Sequence, residues 1–174
     1  MGILAETPKK TDPGDTAIDT PTQSRRIVSF DPMTTEAIGQ VEVRDAAWVR
    51  LAAARAREAQ RSWEKGGVRA RIRVLERVKR IILDEADAIA DLVAQECGKT
   101  HAGAVASEVF PTTALIAFFS RNAPSLLKNK RLDLGQWGLM GRRSHLASRP
   151  FGLVGVISPW NFPFFLSMGS VVMG

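Results

Sequence analysis

Asn161 is the side chain whose setting most clearly invites chemistry. It lies in the run Arg149-Pro150-Phe151-Gly152-Leu153-Val154-Gly155-Val156-Ile157-Ser158-Pro159-Trp160-Asn161-Phe162-Pro163, between two prolines and two aromatics. Leu153 to Ile157 carries no polar side chain and is framed by glycine and proline. Such a run suits a strand buried on both faces, as in a parallel sheet, better than an amphipathic helix. Pro159 cannot donate to a sheet ladder and biases Ser158 away from the helical region, so the strand is expected to end there. Pro163 fits the first turn of a following helix, where its missing N–H costs nothing. Asn161 is thereby expected in a tight loop at the carboxyl end of a buried strand, the place where open α/β sheets hold ligands.

The other reactive side chains carry less. Cys97 is the only cysteine. It excludes an internal disulfide and suits a reducing, cytoplasmic setting. A reactive thiol needs an electropositive, partly exposed site, and no base is visibly paired with Cys97, so it reads as structural. His101 and His145 lack partners at ligand spacing, and no metal site is expected. Gly98-Lys99-Thr100 invites a phosphate-loop reading, but that motif needs glycine at 93, where Val93 stands, and a strand before it. Gly98 reads instead as a helix C-cap, with Lys99 well placed at the negative end of that helix.

Two stretches carry a resemblance. Gly152-Leu-Val-Gly-Val-Ile-Ser-Pro-Trp-Asn-Phe-Pro163 resembles the P-x-G-V-V-G-x-I-x-P-W-N-F/Y-P signature of the aldehyde dehydrogenase superfamily, with both glycines and the whole Pro-Trp-Asn-Phe-Pro core. Glu96-Cys97-Gly98-Lys99-Thr100 is similar to the E-x-G-K-P/T helix end of that family, with Cys97 at a variable position. The resemblance extends over about residues 25 to 174. It implies an α/β fold, namely the N-terminal part of the aldehyde dehydrogenase fold: helices, the start of a Rossmann-like parallel sheet, and a β-hairpin of the oligomerisation sheet.

The resemblance also implies an activity. The family oxidises an aldehyde to an acid with NAD or NADP: a thiolate adds to the carbonyl, the adduct gives hydride to the nicotinamide, and water hydrolyses the thioester. Carried across, Asn161 donates to the adduct's oxyanion, a task suited to an uncharged amide with two N–H donors. Ile157, Ser158, Pro159 and Trp160 match the loop that lies against the cofactor. The G-x-G-x-x-G fingerprint is absent around Gly152 and Gly155, and the family binds its cofactor without it. The nucleophilic cysteine, the general-base glutamate, the ribose-contacting lysine and a second glycine-rich turn lie further along in the family. The sequence is therefore expected to be an N-terminal third, inactive by itself, of a homodimeric or homotetrameric enzyme acting on a small aldehyde. A non-catalytic chain or interaction module of the same fold is the rival from another class. An acylating, coenzyme A-dependent member is the rival among enzymes, although such members usually depart from the Pro-Trp-Asn-Phe-Pro core.

Behind these motifs the chain divides into four parts. Residues 1–24 are rich in Thr, Pro, Asp and Lys and are expected to be a mobile tail. Residues 25–130 carry strands and helices, 131–149 a hairpin, and 150–174 the first part of the cofactor-binding core. Arg26–Phe30 and Ala37–Val43 read as strands joined by Asp31-Pro-Met-Thr-Thr-Glu36, a turn similar to the family's N-P-x-T-G-E with Thr35 in place of glycine. Asp45 is an expected N-cap for a helix to about Trp63, ended by Gly66-Gly67. The next helix sets Val68, Ile72, Leu75, Val78 and Ile82 on one stripe and Arg69, Arg73, Arg77 and Arg80 on another. Residues 102–110 and 111–127 read as helical, with Pro111 tolerated at a first turn or causing a kink. Trp137 and Leu139 near the hairpin tip are candidates for subunit contact.

The net charge is +6. Seven Lys/Arg between Lys65 and Arg80 face only Glu76, and seven between Arg121 and Arg149 face only Asp133. No nucleic-acid motif accompanies this charge, which reads as a solvated helix face and a polar hairpin rather than a nucleic-acid surface. Met1-Gly-Ile-Leu-Ala is too short for a secretory apolar segment, and Glu6 stands where a myristoylation motif needs Ser or Thr. The apolar run 151–174 is interrupted by Pro159, Asn161 and Pro163, so no membrane partner is expected.

Overall fold

The computed structural model describes residues 25–174, and the expected tail at 1–24 lies outside the described residues. Strands β1 (Arg26–Phe30) and β2 (Ala37–Glu42) pair antiparallel, with Arg26 opposite Glu42 and Val28 opposite Gln40. Their turn is built by Asp31, whose Oδ1 accepts from the backbone N–H of Met33 at 2.7 Å and of Thr34 at 3.2 Å. Thr35 adopts φ 62°, the left-handed conformation that glycine takes without strain.

Helix α1 (Ala46–Lys65) begins as the sequence indicates: Asp45 Oδ1 accepts from Trp48 N–H at 2.7 Å. Gly67, at φ 69°, lets the chain turn into α2 (Gly67–Asp84). Arg69, Arg73, Arg77 and Arg80 are exposed on α2, while Ile82 on its apolar stripe is buried. Helix α3 (Ala86–Cys97) ends at Gly98, φ 63°, where Lys99 N–H reaches back to the carbonyl of Ala94 at 3.2 Å. A side chain on Gly98 would also meet Pro32 Cγ at 3.4 Å, so the β1–β2 turn packs against the end of α3. Ser29 Oγ reinforces that packing by donating to Glu96 at 3.1 Å.

Pro111 falls in a first helical turn, one of the two placements expected for it, although the helix does not stop before it. Helix α4 (His101–Ala104) runs through a π turn, Val105–Val109, into α5 (Phe110–Leu126) without a break. A proline at 111 lacks an N–H and its ring would crowd the carbonyl of residue 107 in a regular helix. The wider turn, in which Phe110 N–H bonds the carbonyl of Val105, accommodates it. The stretch His101–Leu126 is long and apolar enough to cross a membrane by length and composition. Five of its residues, Ala104, Glu108, Val109, Thr112 and Ile116, are buried against neighbouring elements. The hydrophobic core gathers Ile82 from α2, Ala90 and Val93 from α3, Ala104, Val109 and Ile116 from this stretch, and Val172 from α7 (Pro163–Met173).

Two expectations for the C-terminal half need correction. The hairpin exists as β3 (Lys130–Leu132) against β4 (Ser144–Leu146), with Arg131 opposite His145, but its tip is a short helix, α6 (Gln136–Leu139), rather than extended chain. Gly135 and Gly141, both at positive φ, flank α6 and allow the tight entry and exit. The strand expected at Leu153–Ile157 does not form: these residues are irregular and most are exposed. A strand's N–H and C=O groups must pair with neighbouring strands, and both sheets among the described residues are two-stranded and lie elsewhere in the chain.

Candidate functional site

Pro163 occupies the first turn of α7, as its fixed φ and missing N–H favour. Phe162 stands at the N-cap and offers no side-chain acceptor to the helix. Asn161 directly precedes it and is exposed, in a turn formed with Trp160. Asn161 thus precedes the positive end of the α7 dipole, a place that favours negative charge. The four residues before it line up beside it: Ile157 is fully exposed, Trp160 is 85% exposed, Pro159 is exposed and Ser158 is half-buried. Ile157 and Trp160 therefore present apolar surface against which a flat heteroaromatic ring could lie, while Asn161 supplies the adjoining polar group. Ile157, Ser158, Pro159, Trp160 and Asn161 are consecutive and, Ser158 apart, exposed, and the segment bearing them is irregular rather than the end of a strand.

Behind this turn stands a group that the sequence reading passed over. Glu108, in the π turn, is completely buried. Its Oε1 meets Lys99 Nζ at 2.5 Å and its Oε2 accepts from Phe165 N–H at 2.8 Å. Lys99 also lies 4.2 Å from the centre of the Phe162 ring. Lys99 is thus more than a charge at the end of α3. A signal for Glu108 was present: Ala104, Glu108, Thr112 and Ile116 recur every four residues, and Glu108 is the one charge in that row.

Cys97 is half-buried, and its Sγ lies 3.5 Å from the carbonyl oxygen of Trp160. Burial pushes its thiol above the ordinary cysteine range; the Lys99 cation opposes this less strongly. That is the reverse of what an attacking thiolate needs. His101 sits between Asp91, at 2.7 Å from Nδ1, and Asp87, at 3.4 Å from Nε2. The hydrogen bond to Asp91 holds its pKa above 6.5. No three His, Cys, Asp or Glu side chains converge as a metal cage among the described residues.

Known proteins share this sequence and this arrangement. Over 146 residues the chain is 27% identical to 4,4'-diapolycopene aldehyde oxidase of Methylomonas sp, covering 84% of this chain and 28% of that protein. It is 33% identical over 141 residues to a protein of Mycobacterium ulcerans provisionally named succinate-semialdehyde dehydrogenase (NADP+) 2, covering 81% and 26%. Among solved structures it superposes with TM-score 0.75 and 25% identity on a provisionally assigned methylmalonate-semialdehyde dehydrogenase from Sinorhizobium meliloti 1021 complexed with NAD, over 87% of this chain and 30% of that one. The chain spans less than a third of the length of each of these proteins. The architecture is accordingly that of the N-terminal part of their fold. The model of the aldehyde dehydrogenase family matches residues 20–174, taking in the helices, the hairpin and the Asn161 turn alike, and the chain belongs to that family.

Proposed function

We propose that the protein carrying this chain oxidises an aldehyde to a carboxylic acid with NAD or NADP, by way of a cysteine thiohemiacetal and thioester. Within it, Asn161 donates to the carbonyl oxygen as that oxygen becomes anionic. The observation that carries this reading is the setting of Asn161: exposed, uncharged, and one residue before the N-cap of α7. A preorganised donor of this kind stabilises charge that develops only in the transition state. Ile157 and Trp160 fit one side of a nicotinamide or adenine ring, because their apolar surfaces are uncovered next to that donor. NAD or NADP, when bound, accepts the hydride that leaves the aldehyde carbon. The relatives named for semialdehydes, one with NADP+ in its name and one complexed with NAD, support both the substrate class and the cofactor class.

The attacking thiolate is not assigned to Cys97, whose burial disfavours it. The 174-residue chain alone is therefore expected to show no aldehyde-dependent reduction of either cofactor. Assembly of the protein as a homodimer or homotetramer through the β3–β4 hairpin belongs to the same reading. Leu139, 92% exposed, and Trp137, 50% exposed, supply apolar contact surface there.

The deciding experiment is Asn161→Ala in the full-length protein. Turnover of a small aldehyde is expected to fall by about 10²–10³ while the dissociation constants for NAD and NADP change little. Asn161→Asp should be at least as damaging, since its carboxylate repels the developing charge. Near-normal turnover with lost cofactor affinity would make Asn161 a binding residue and overturn the assigned role.

A further inference from the structure

A carboxylate with no solvent contact needs partners for its charge and for its lone pairs. Glu108 finds both at widely separated places in the chain. Lys99, just past the C-cap of α3, supplies the charge, and the backbone N–H of Phe165, 57 residues further on, supplies the second donor. Phe165 is the third residue of α7, so its N–H is one of those that a helix cannot satisfy from within. A local Ser, Asp or Asn at the N-cap usually accepts from such a donor, but Phe162 stands there instead. Glu108 performs that capping task from another helix. The π turn holds it in place, and the Thr112 hydroxyl donates to the Glu108 carbonyl oxygen at 2.6 Å within it.

The pair grips both sides of the helix start. Lys99 lies against the Phe162 ring and Glu108 holds the Phe165 amide, while Asn161 is attached directly to Phe162. We propose that Lys99 and Glu108 form a positioning pair for Asn161: they fix where α7 begins and hence where the Asn161 amide points. Lys99 has a second effect. It neutralises a carboxylate that would otherwise stand bare at the helix end favouring the oxyanion. The inference rests on the reading of Asn161 as oxyanion donor.

Three sets of variants of the full-length protein test it. Lys99→Met/Glu108→Gln removes both charges but keeps an acceptor for Phe165, and is expected to retain turnover within a few-fold. Lys99→Met/Glu108→Leu keeps an apolar filling without the acceptor. Its turnover is expected to drop about 10- to 100-fold through misplacement of Asn161, with NAD affinity unchanged and hydrogen exchange at the Phe165 amide accelerated. In an Asn161→Ala background the same leucine pair should cost nothing further. Equal turnover of the glutamine and leucine pairs, or an undiminished drop in the Asn161→Ala background, overturns the proposal. Should the leucine pair not fold, Lys99→Arg against Lys99→Met decides. The arginine variant should keep turnover and the methionine variant lose it at constant NAD affinity; equal turnover overturns the proposal. If Asn161→Ala by itself leaves turnover intact, the oxyanion reading fails separately. Unchanged Phe165 exchange in the leucine pair would then overturn the positioning role as well.

Discussion

The Cys97 thiol and the Trp160 carbonyl oxygen lie 3.5 Å apart, joining the end of α3 to the turn that carries Asn161. A neutral thiol donates in that arrangement and a thiolate cannot, which acts in the same direction as burial on its pKa. Cys97 is therefore expected to alkylate more slowly at neutral pH than a free cysteine, with a rate still climbing above pH 9.0. Cys97→Ser in the full-length protein should keep turnover within a few-fold. Rapid labelling at pH 7, or loss of the acyl-enzyme burst in the serine variant, would return Cys97 to candidacy as nucleophile.

Thr35, in the β1–β2 turn, and Gly98, at the end of α3 on which that turn packs, both have positive φ. Thr35→Gly relieves a side chain held in the left-handed region and should stabilise the protein by about 1 kcal/mol. Gly98→Ala introduces the same strain and presses a methyl group towards Pro32, which should cost about 1–2 kcal/mol. Urea unfolding midpoints of the two variants should move in opposite directions; a shift of the same sign would contradict the backbone account.

His101 gains stability from protonation. Its folded pKa is raised above 6.5, first by the Asp91 hydrogen bond and then by the surrounding carboxylate charges. The contribution is fully present below pH 6.5 and fades as pH rises through the raised value. Asp91→Asn should lower the imidazole titration midpoint followed by NMR and move that window to lower pH. A midpoint that stays in place would show that Asp91 is not its cause.

The tip of the β3–β4 hairpin offers a direct test of assembly. Leu139→Asp puts a charge on the most exposed part of α6 and should shift the sedimenting species of the full-length protein to lower mass, with helix content unchanged. The same mass in wild type and variant would remove the hairpin tip from the subunit interface.

Much of the N-terminal half was legible because its signals are local. Asp45 caps α1, Gly98 caps α3, and the alternation of Ile72 and Ile82 with Arg73 and Arg77 marks the two faces of α2. The Asn161 turn was legible from Pro159 and Pro163 alone, since each restricts the backbone by itself. Leu153–Ile157 misled because a buried strand is defined by its partners, and composition describes only the run itself. Pro111 was legible as a first-turn residue, but the wider turn before it, which lets the helix run on, carries no signal of its own in the sequence. Glu108 was missed because a glutamate in a helix ordinarily faces water, and only the row Ala104, Thr112 and Ile116 shows that this one faces inward.

The π turn at Val105–Val109 holds one residue more than a regular helix would. Losing Ser107 would straighten the hydrogen-bond ladder and remove the wider turn in which Glu108 stands. Glu108 and Ile116 now serve different neighbours from one rod, the first the start of α7 and the second the core. The surplus residue belongs to the turn that carries the first of those duties. A single-residue deletion that tidies the helix on paper would rebuild the turn that joins Glu108 to the start of α7, so the length of this segment is constrained along with its composition.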